Sequence, residues 1–169
     1  MSINTKRGFT LMELLVVIAI IGILASVVLA SLNTARSKGA DAAVKSNLAN
    51  ARAQAELFYD SNGNSYMQTA GTASDVCSSL ALANNVKGIY PSVAAAASST
   101  GSTIMNTTLT TAGAWNTGTC HSASGAWAAE APLKASISGT PAMYCVDSTG
   151  KSAAEAVGSN LAASATVCP

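Results

Sequence analysis

The hydrophobic pattern of the first sixty residues predicts one long helix with two different halves. From Leu14 to Leu32 the chain contains no ionisable residue. At about 1.5 Å per residue, a helix of that length approaches the roughly 30 Å hydrocarbon core of a bilayer. Beyond Asn33 the apolar positions recur at spacings of three and four, which is typical of one buried helix face: Val44, Leu48, Ala51, Ala55 and Phe58. The pattern therefore predicts a membrane half followed by an amphipathic half.

A dense turn signal, Asp60-Ser61-Asn62-Gly63-Asn64, predicts that this helix ends near residue 60. Alternating oxygen-bearing side chains there also match the start of a calcium loop, but Ser65 and Gly71 stand where that loop requires Gly and Glu. We expect a plain turn. On the exposed side of the helix, the i, i+4 spacing of Asp41 and Lys45 predicts an ion pair.

Residues 61–169 contain short elements between many turns. Strand-like runs lie at Gly125–Leu133 and Ala142–Asp147, and Lys151–Val157 is expected to return beside the second run as a hairpin. Val76–Ala83 predicts a short helix. The fold class is α+β, with the long N-terminal helix packed on a small antiparallel sheet. The side chains expected to contribute to the core of this head are Trp115, Trp127, Ile137 and Tyr144.

Composition excludes several classes of function. Only 10% of the 169 residues are charged, against about 25% in an ordinary soluble domain. Nine Lys and Arg against eight Asp and Glu give a net charge of +1, so no direct nucleic-acid site is expected. His121 is the only histidine. It is expected in an exposed loop, and with no P-loop, GxGxxG or metal-ligand cluster we predict no enzyme, no cofactor and no metal site.

Four cysteines, Cys77, Cys120, Cys145 and Cys168, all follow the membrane half. No CxxC spacing occurs among them, which argues against a zinc ribbon. An even number in an exported domain with a thin core predicts two disulfides, for which three pairings are possible.

The junction before the apolar run carries the most specific signal. Glu13 lies among apolar residues directly before Leu14, and a carboxylate at the bilayer centre costs about 2.5–3.5 kcal/mol, less near an end, and normally has a partner. A secretory signal peptide is the alternative, but its apolar region spans only about 7–15 residues. The stretch RGFTLMELLVVIAIIGILA, from Arg7 onward, resembles the class III signal of bacterial type IV pilins and pseudopilins.

That resemblance implies a processing route. A prepilin peptidase cuts after Gly8 on the cytoplasmic side and N-methylates the new first residue, Phe9. Glu13 matches the family's acidic fifth mature residue, and its carboxylate is expected to pair with the α-ammonium of Phe9 in a neighbouring subunit and so fix the register of assembly. The position where many pilins carry a helix-kinking Pro is Ala30 here.

The resemblance also implies an organisation, a pairing and a function. Residues 1–8 form the leader, 9–32 the transmembrane and assembly helix, 33–60 its amphipathic continuation, and 61–169 a disulfide-stapled, pilin-like head. Cys77–Cys120 and Cys145–Cys168 are preferred because many type IV pilins staple a C-terminal loop. The implied function is a structural subunit of a type IV pilus-like filament for adhesion, motility or DNA uptake. The precursor crosses the inner membrane once with its N-terminus in the cytoplasm, and the filament lies at the cell surface.

The implied partners are copies of the chain, other pilins, the prepilin peptidase and an inner-membrane assembly platform. One alternative is a pseudopilin of a type II secretion or competence system. Type II secretion pseudopilins use a C-terminal calcium site, to which Asp147, Ser148 and Thr149 would contribute here. A membrane-tethered extracellular binding domain that never polymerises is the other alternative.

One segment has no explanation in these terms. No charged residue occurs between Lys87 and Glu130, and Ser98–Thr111 is nearly pure Ser and Thr with small residues. We expect a flexible solvated loop there. A sugar-bearing or subunit-contact surface is the alternative.

Overall fold

The computed structural model describes residues 8–67, 75–80, 85–137, 139–156 and 160–169. Contacts divide the chain into two compact units, Met1–Arg36 and Ser37–Pro169. The described elements are, in chain order, α1 (Leu11–Ser61), α2 (Tyr90–Ser99), β1 (Met105–Asn106), β2 (Gly118–Ala123), β3 (Ala126–Ile137), β4 (Thr140–Asp147) and β5 (Ser152–Ala156). The α+β fold class, with a long N-terminal helix and a pilin-like arrangement, is confirmed.

The first unit contains the apolar part of α1. Every large apolar side chain from Phe9 to Leu32 is exposed within this chain. Among the described residues, α1 is the one helix long and apolar enough to cross a membrane. Side chains of this kind need lipid or another protein around them, because water solvates them poorly.

The second unit is built on a five-stranded sheet in the order β1-β2-β3-β4-β5. Three of the strand pairs are antiparallel, and β4 and β5 form the predicted hairpin, with Val146 opposite Ser152. The very short β1 pairs with β2 in parallel, so the sheet is mostly rather than wholly antiparallel. Register shifts between Pro132 and Ser136 in β3, where proline supplies no N–H for the ladder.

The core lies between one face of the sheet and two helices. All five members of the predicted α1 stripe are buried, which confirms the amphipathic pattern. They share a cluster with Trp127 and Val146 from the sheet and Val93 from α2. On the opposite face, residues 160–169, here called the C-terminal strap, place Leu161 and Cys168 in a second cluster.

Helix α1 ends where the turn signal predicts. Gly63 and Asn64 have positive φ angles of 66° and 61°, and the Asn64 amide donates to the Tyr59 carbonyl over 3.0 Å. The Asn62 side-chain amide donates to the carbonyls of Ser65 and Met67. This left-handed end satisfies the last carbonyls of the helix.

Several expectations about the head are wrong. Trp115 is exposed rather than in the core, because it lies in the loop before β2, and Ile137 is only half-buried. Tyr144 is half-buried but packs against the core, as expected. Val76–Leu80 forms a turn and bends instead of a helix, and residues 81–83 lie outside the described ranges. The segment Ser98–Thr111 is mostly turn and irregular chain as expected, but it also contains the end of α2 and the strand β1.

Candidate assembly site and the strap of the head

The processing and assembly residues lie at the start of α1. Gly8 and Phe9 precede the helix, and both are exposed, as is Glu13 in the first helical turn. Thr10 lies between Phe9 and Leu11, the first helical residue, and so occupies the N-cap position. Glu13 then stands at the third helical position, where an acidic side chain also interacts favourably with the helix dipole.

Thr10 and Glu13 form a reciprocal capping box. The Thr10 amide and hydroxyl both donate to Oε2 of Glu13, over 2.9 Å and 2.7 Å, and the Glu13 amide donates to the Thr10 hydroxyl over 3.2 Å. This satisfies two of the amides that a helix N-terminus leaves without partners. The other carboxylate oxygen of Glu13, Oε1, accepts no hydrogen bond from the described residues. Sequence reasoning missed the role of Thr10, although the spacing Thr-x-x-Glu is its signal.

Two disulfides staple the second unit. Cys77 is bonded to Cys120 and Cys145 to Cys168, and the described residues include no free cysteine. This is the pairing that the family resemblance favoured among the three. The first bond ties the segment after Asp75 to β2, and the second ties the end of the strap to β4.

His121 contradicts the sequence-based expectation. It lies in β2 and is fully buried, because the strap covers this face of the sheet. Its Nδ1 lies 3.0 Å from the carbonyl oxygen of Ala165, and its Nε2 lies 2.9 Å from that of Thr111. The ring therefore links the strap to the loop before β2.

Glu130 is a second buried polar group beneath the strap. Its Oε2 accepts the Leu161 amide over 3.0 Å, and its Oε1 and the hydroxyl of the cross-strand Thr119 are buried without another partner. Burial raises the pKa of Glu130 to about 7, with a smaller contribution from Glu155. The Leu161 amide stabilises the ionised form and so lowers the pKa, but this effect is smaller than that of burial. Sequence reasoning missed this site because the run around Glu130 is apolar.

Asp147 holds the end of the strap. Its Oδ1 accepts the Thr149 amide and hydroxyl and the Lys151 amide, and its Oδ2 accepts the Cys168 amide over 2.8 Å. Burial raises the pKa of Asp147, but these hydrogen bonds outweigh that effect and hold the pKa below its usual value. The carboxylate is thus used inside the fold. No group of three or more His, Cys, Asp or Glu side chains in the described ranges is placed to hold a metal ion.

Asp41 and Lys45 do not form the expected ion pair. Asp41 instead accepts the amides of Lys134 and Ala135 in β3, and the Lys45 ammonium lies 5.6 Å from the centre of the Tyr144 ring. The sheet offers both side chains partners that the helix alone does not, because the i, i+4 interaction is weak.

The comparison with protein families agrees with the arrangement at the N-terminus. Residues 3–29 match the prokaryotic N-terminal methylation motif, the signature of type IV pilins and pseudopilins. This motif supports a place in that family and implies processing by prepilin peptidase and assembly into filaments. It is a structural motif rather than that of a known enzyme family, and with the apolar helix it fits a single-pass inner-membrane precursor. Neither a curated protein nor a solved structure matches the chain.

Proposed function

We propose that this chain is a structural subunit of a type IV pilus-like filament. Cleavage after Gly8 removes the leader, Phe9 is N-methylated, and mature subunits leave the inner membrane to join a fibre. Residues 9–32 form the assembly helix, 33–60 continue it, and 61–169 form the head. The head carries the disulfides, which is consistent with exposure outside the cytoplasm.

The observation that carries the proposal is the exposed apolar surface of residues 9–32, most of which the methylation motif covers. Every large apolar side chain from Phe9 to Leu32 is exposed in the isolated chain. Removing one such side chain from water, into lipid or into an assembly, is worth about 1.5–3 kcal/mol. Lipid covers this surface in the precursor, and helices of other subunits cover it in the filament.

Glu13 gives this assembly a register. Its Oε2 is used by Thr10 within the same helix, whereas Oε1 has no partner among the described residues. Cleavage creates a positively charged amine at Phe9, beside the positive end of the helix dipole. A buried carboxylate and a buried ammonium are each costly alone. Pairing Glu13 with Phe9 of a neighbouring subunit places both charges together at one axial stagger.

Cleavage also changes the charge of the chain. Removing Lys6 and Arg7 leaves seven basic side chains against eight acidic ones, a formal side-chain charge of −1. The leader would otherwise keep two cations next to the segment that must leave the membrane interface. Processing therefore supplies the amine and removes the cations in one step.

The test is mass spectrometry of fibres sheared from cells that express this chain. We expect it as the dominant component, with an N-terminal peptide that begins at N-methylated Phe9. Glu13→Gln keeps the acceptor oxygen for Thr10 and removes the charge, so it is expected to insert normally and to reduce fibre yield. Asp60→Asn removes one charge from the same helix and is the matched control.

Three results would contradict the proposal. They are a mature chain that begins at another residue, surface protein that retains its leader, and normal fibre yield from both Glu13→Gln and Glu13→Leu. Cleaved and methylated protein that forms no surface fibre yet is required for secretion of other proteins would identify a pseudopilin instead.

A further inference from the structure

A groove in the second unit is large enough to hold a small molecule. Its volume is about 360 Å³. One wall is the chain between α2 and β1, a second is the loop before β2, and the third is the bulged part of β3. The lining residues that matter for recognition are Ser102, Thr103, Ile104, Trp115, Asn116 and Lys134.

Trp115 is the most informative of them. Its exposed fraction is 55%, and that of the neighbouring Ile104 is 57%, whereas Trp127, the other tryptophan, is fully buried. A large aromatic side chain left in water forgoes a stabilising burial. Exposed apolar surface with a polar rim is typical of a binding site.

The walls of the groove are held in place without any ligand. The Ser102 hydroxyl donates to the Asn116 carbonyl, and the Gly118 amide donates to the Ile104 carbonyl. Asp41 accepts the amide of Lys134 on the opposite wall. A preformed site loses less conformational entropy on binding than one that must be ordered.

The charge of the residues that line the groove limits the chemical class of ligand that it can bind. Lys134 is the one charged side chain among the described residues that line the groove, and its ammonium forms no salt bridge within the described ranges. The rest of the polar rim is neutral hydroxyl and amide. A single cation is too few for a nucleic acid, whose binding depends on several phosphate contacts.

We propose that this groove binds an acidic saccharide. The negative face of the Trp115 indole stacks against the polarised C–H groups of a sugar ring. Thr103 and Asn116 hydrogen-bond to ring hydroxyls, and the Lys134 ammonium pairs with a carboxylate of the sugar. The site lies entirely in the second unit, so it uses no residue of the apolar part of α1.

The experiment uses the full chain in lauryldimethylamine oxide micelles, because this detergent has no sugar headgroup. The probes are tetragalacturonic acid and the neutral maltotetraose. Since Trp127 is buried, quenching of tryptophan fluorescence by acrylamide reports mainly on Trp115. We expect tetragalacturonic acid to protect the fluorescence in a saturable way, and maltotetraose to protect it more weakly.

Calorimetric titration of variants measures the affinity for each saccharide without relying on tryptophan fluorescence. Trp115→Ala is expected to weaken binding of tetragalacturonic acid at least about tenfold. Lys134→Met keeps the aliphatic stem of the side chain. It is expected to weaken binding of tetragalacturonic acid about threefold and to leave the affinity for maltotetraose unchanged. Lys87→Met, in another groove, is the matched control and is expected to bind like the parent chain.

Three results would overturn the proposal. The first is an absence of saturable heat and protection with tetragalacturonic acid while near-ultraviolet circular dichroism shows a folded head. The second is shielding of Trp115 by self-association at higher protein concentration in the absence of saccharide, which would make a second copy of the chain the occupant. The third is equal affinity of the parent chain and Trp115→Ala for tetragalacturonic acid, which would exclude the stacking role.

Discussion

Asp41 of α1 accepts a backbone hydrogen bond from Lys134 in the bulge of β3, over 2.6 Å. Its second carboxylate oxygen accepts the next amide, that of Ala135, over 3.1 Å. These amides lie between Pro132 and Ser136, where the pairing of β3 with β4 is interrupted. One helical side chain therefore supplies the acceptors that the neighbouring strand does not.

We predict that Asp41→Ala destabilises the second unit by about 1–3 kcal/mol, because two amides lose a charged acceptor. Thermal unfolding followed by near-ultraviolet circular dichroism measures the loss. Asp60→Ala removes an exposed carboxylate from the same helix and is expected to leave the melting temperature unchanged. Equal melting temperatures for the parent chain and Asp41→Ala would contradict the role of this contact.

The raised pKa of Glu130 predicts that its contribution to the stability of the second unit falls as the pH rises from about 4.5 to about 7. The native state keeps its proton up to about pH 7, whereas the unfolded chain loses it near pH 4.5. Between these values the folded state binds the extra proton, so raising the pH favours unfolding. At about 1.36 kcal/mol for each pH unit, the contribution of this group decreases by roughly 3 kcal/mol over the window and is constant above it.

The isosteric Glu130→Gln isolates this effect. Its side-chain oxygen still accepts the Leu161 amide and its size is nearly unchanged, so we expect the variant to fold. Denaturant titrations from pH 4 to pH 8 are expected to show a flatter profile for the variant, which gains relative stability at the upper end. Parallel profiles for the parent chain and the variant would exclude protonation of Glu130 in the fold.

Each disulfide is expected to stabilise the head by restricting the unfolded chain. The separations of 43 and 23 residues correspond to about 3–4 kcal/mol each in the chain-entropy model. We predict that Cys145→Ser with Cys168→Ser lowers the melting temperature and makes the strap cleavable by protease before the sheet unfolds. Cys77→Ser with Cys120→Ser is expected to destabilise at least as much without exposing the strap first. A strap that stays protected in the first variant would show that Asp147, His121 and Glu130 hold it unaided.

The capping box predicts a graded effect at Thr10. Thr10→Ser keeps the hydroxyl that bonds the Glu13 amide, whereas Thr10→Ala removes it, and loss of an N-cap costs about 1 kcal/mol. Amide hydrogen exchange in micelles is expected to show faster exchange over the first turn of α1 in the Ala variant alone. Equal exchange in the Ser and Ala variants would contradict the capping role.

Local patterns predicted the parts of the fold that depend on local chemistry. The α1 stripe follows from helical periodicity, the turn after Ser61 from Gly63 and its polar neighbours, and the β4–β5 hairpin from its turn residues. The helix α2 was missed because its Ala and Ser residues give little contrast between faces, and β2 because its sequence has few strand-forming side chains. Helix α2 and strand β2 form because both pack against the core of the second unit.

The sequence by itself determined the N-terminal processing signal, the apolar helix and the presence of four cysteines, because each of these depends on a few neighbouring residues. Tertiary structure alone decided which residues from distant positions meet. It buried His121 and Glu130 beneath the strap, directed Asp41 to the bulge rather than to Lys45, and left Trp115 exposed in a groove. These outcomes depend on how the strap and helices cover the two faces of the sheet, which periodicity along the chain does not specify.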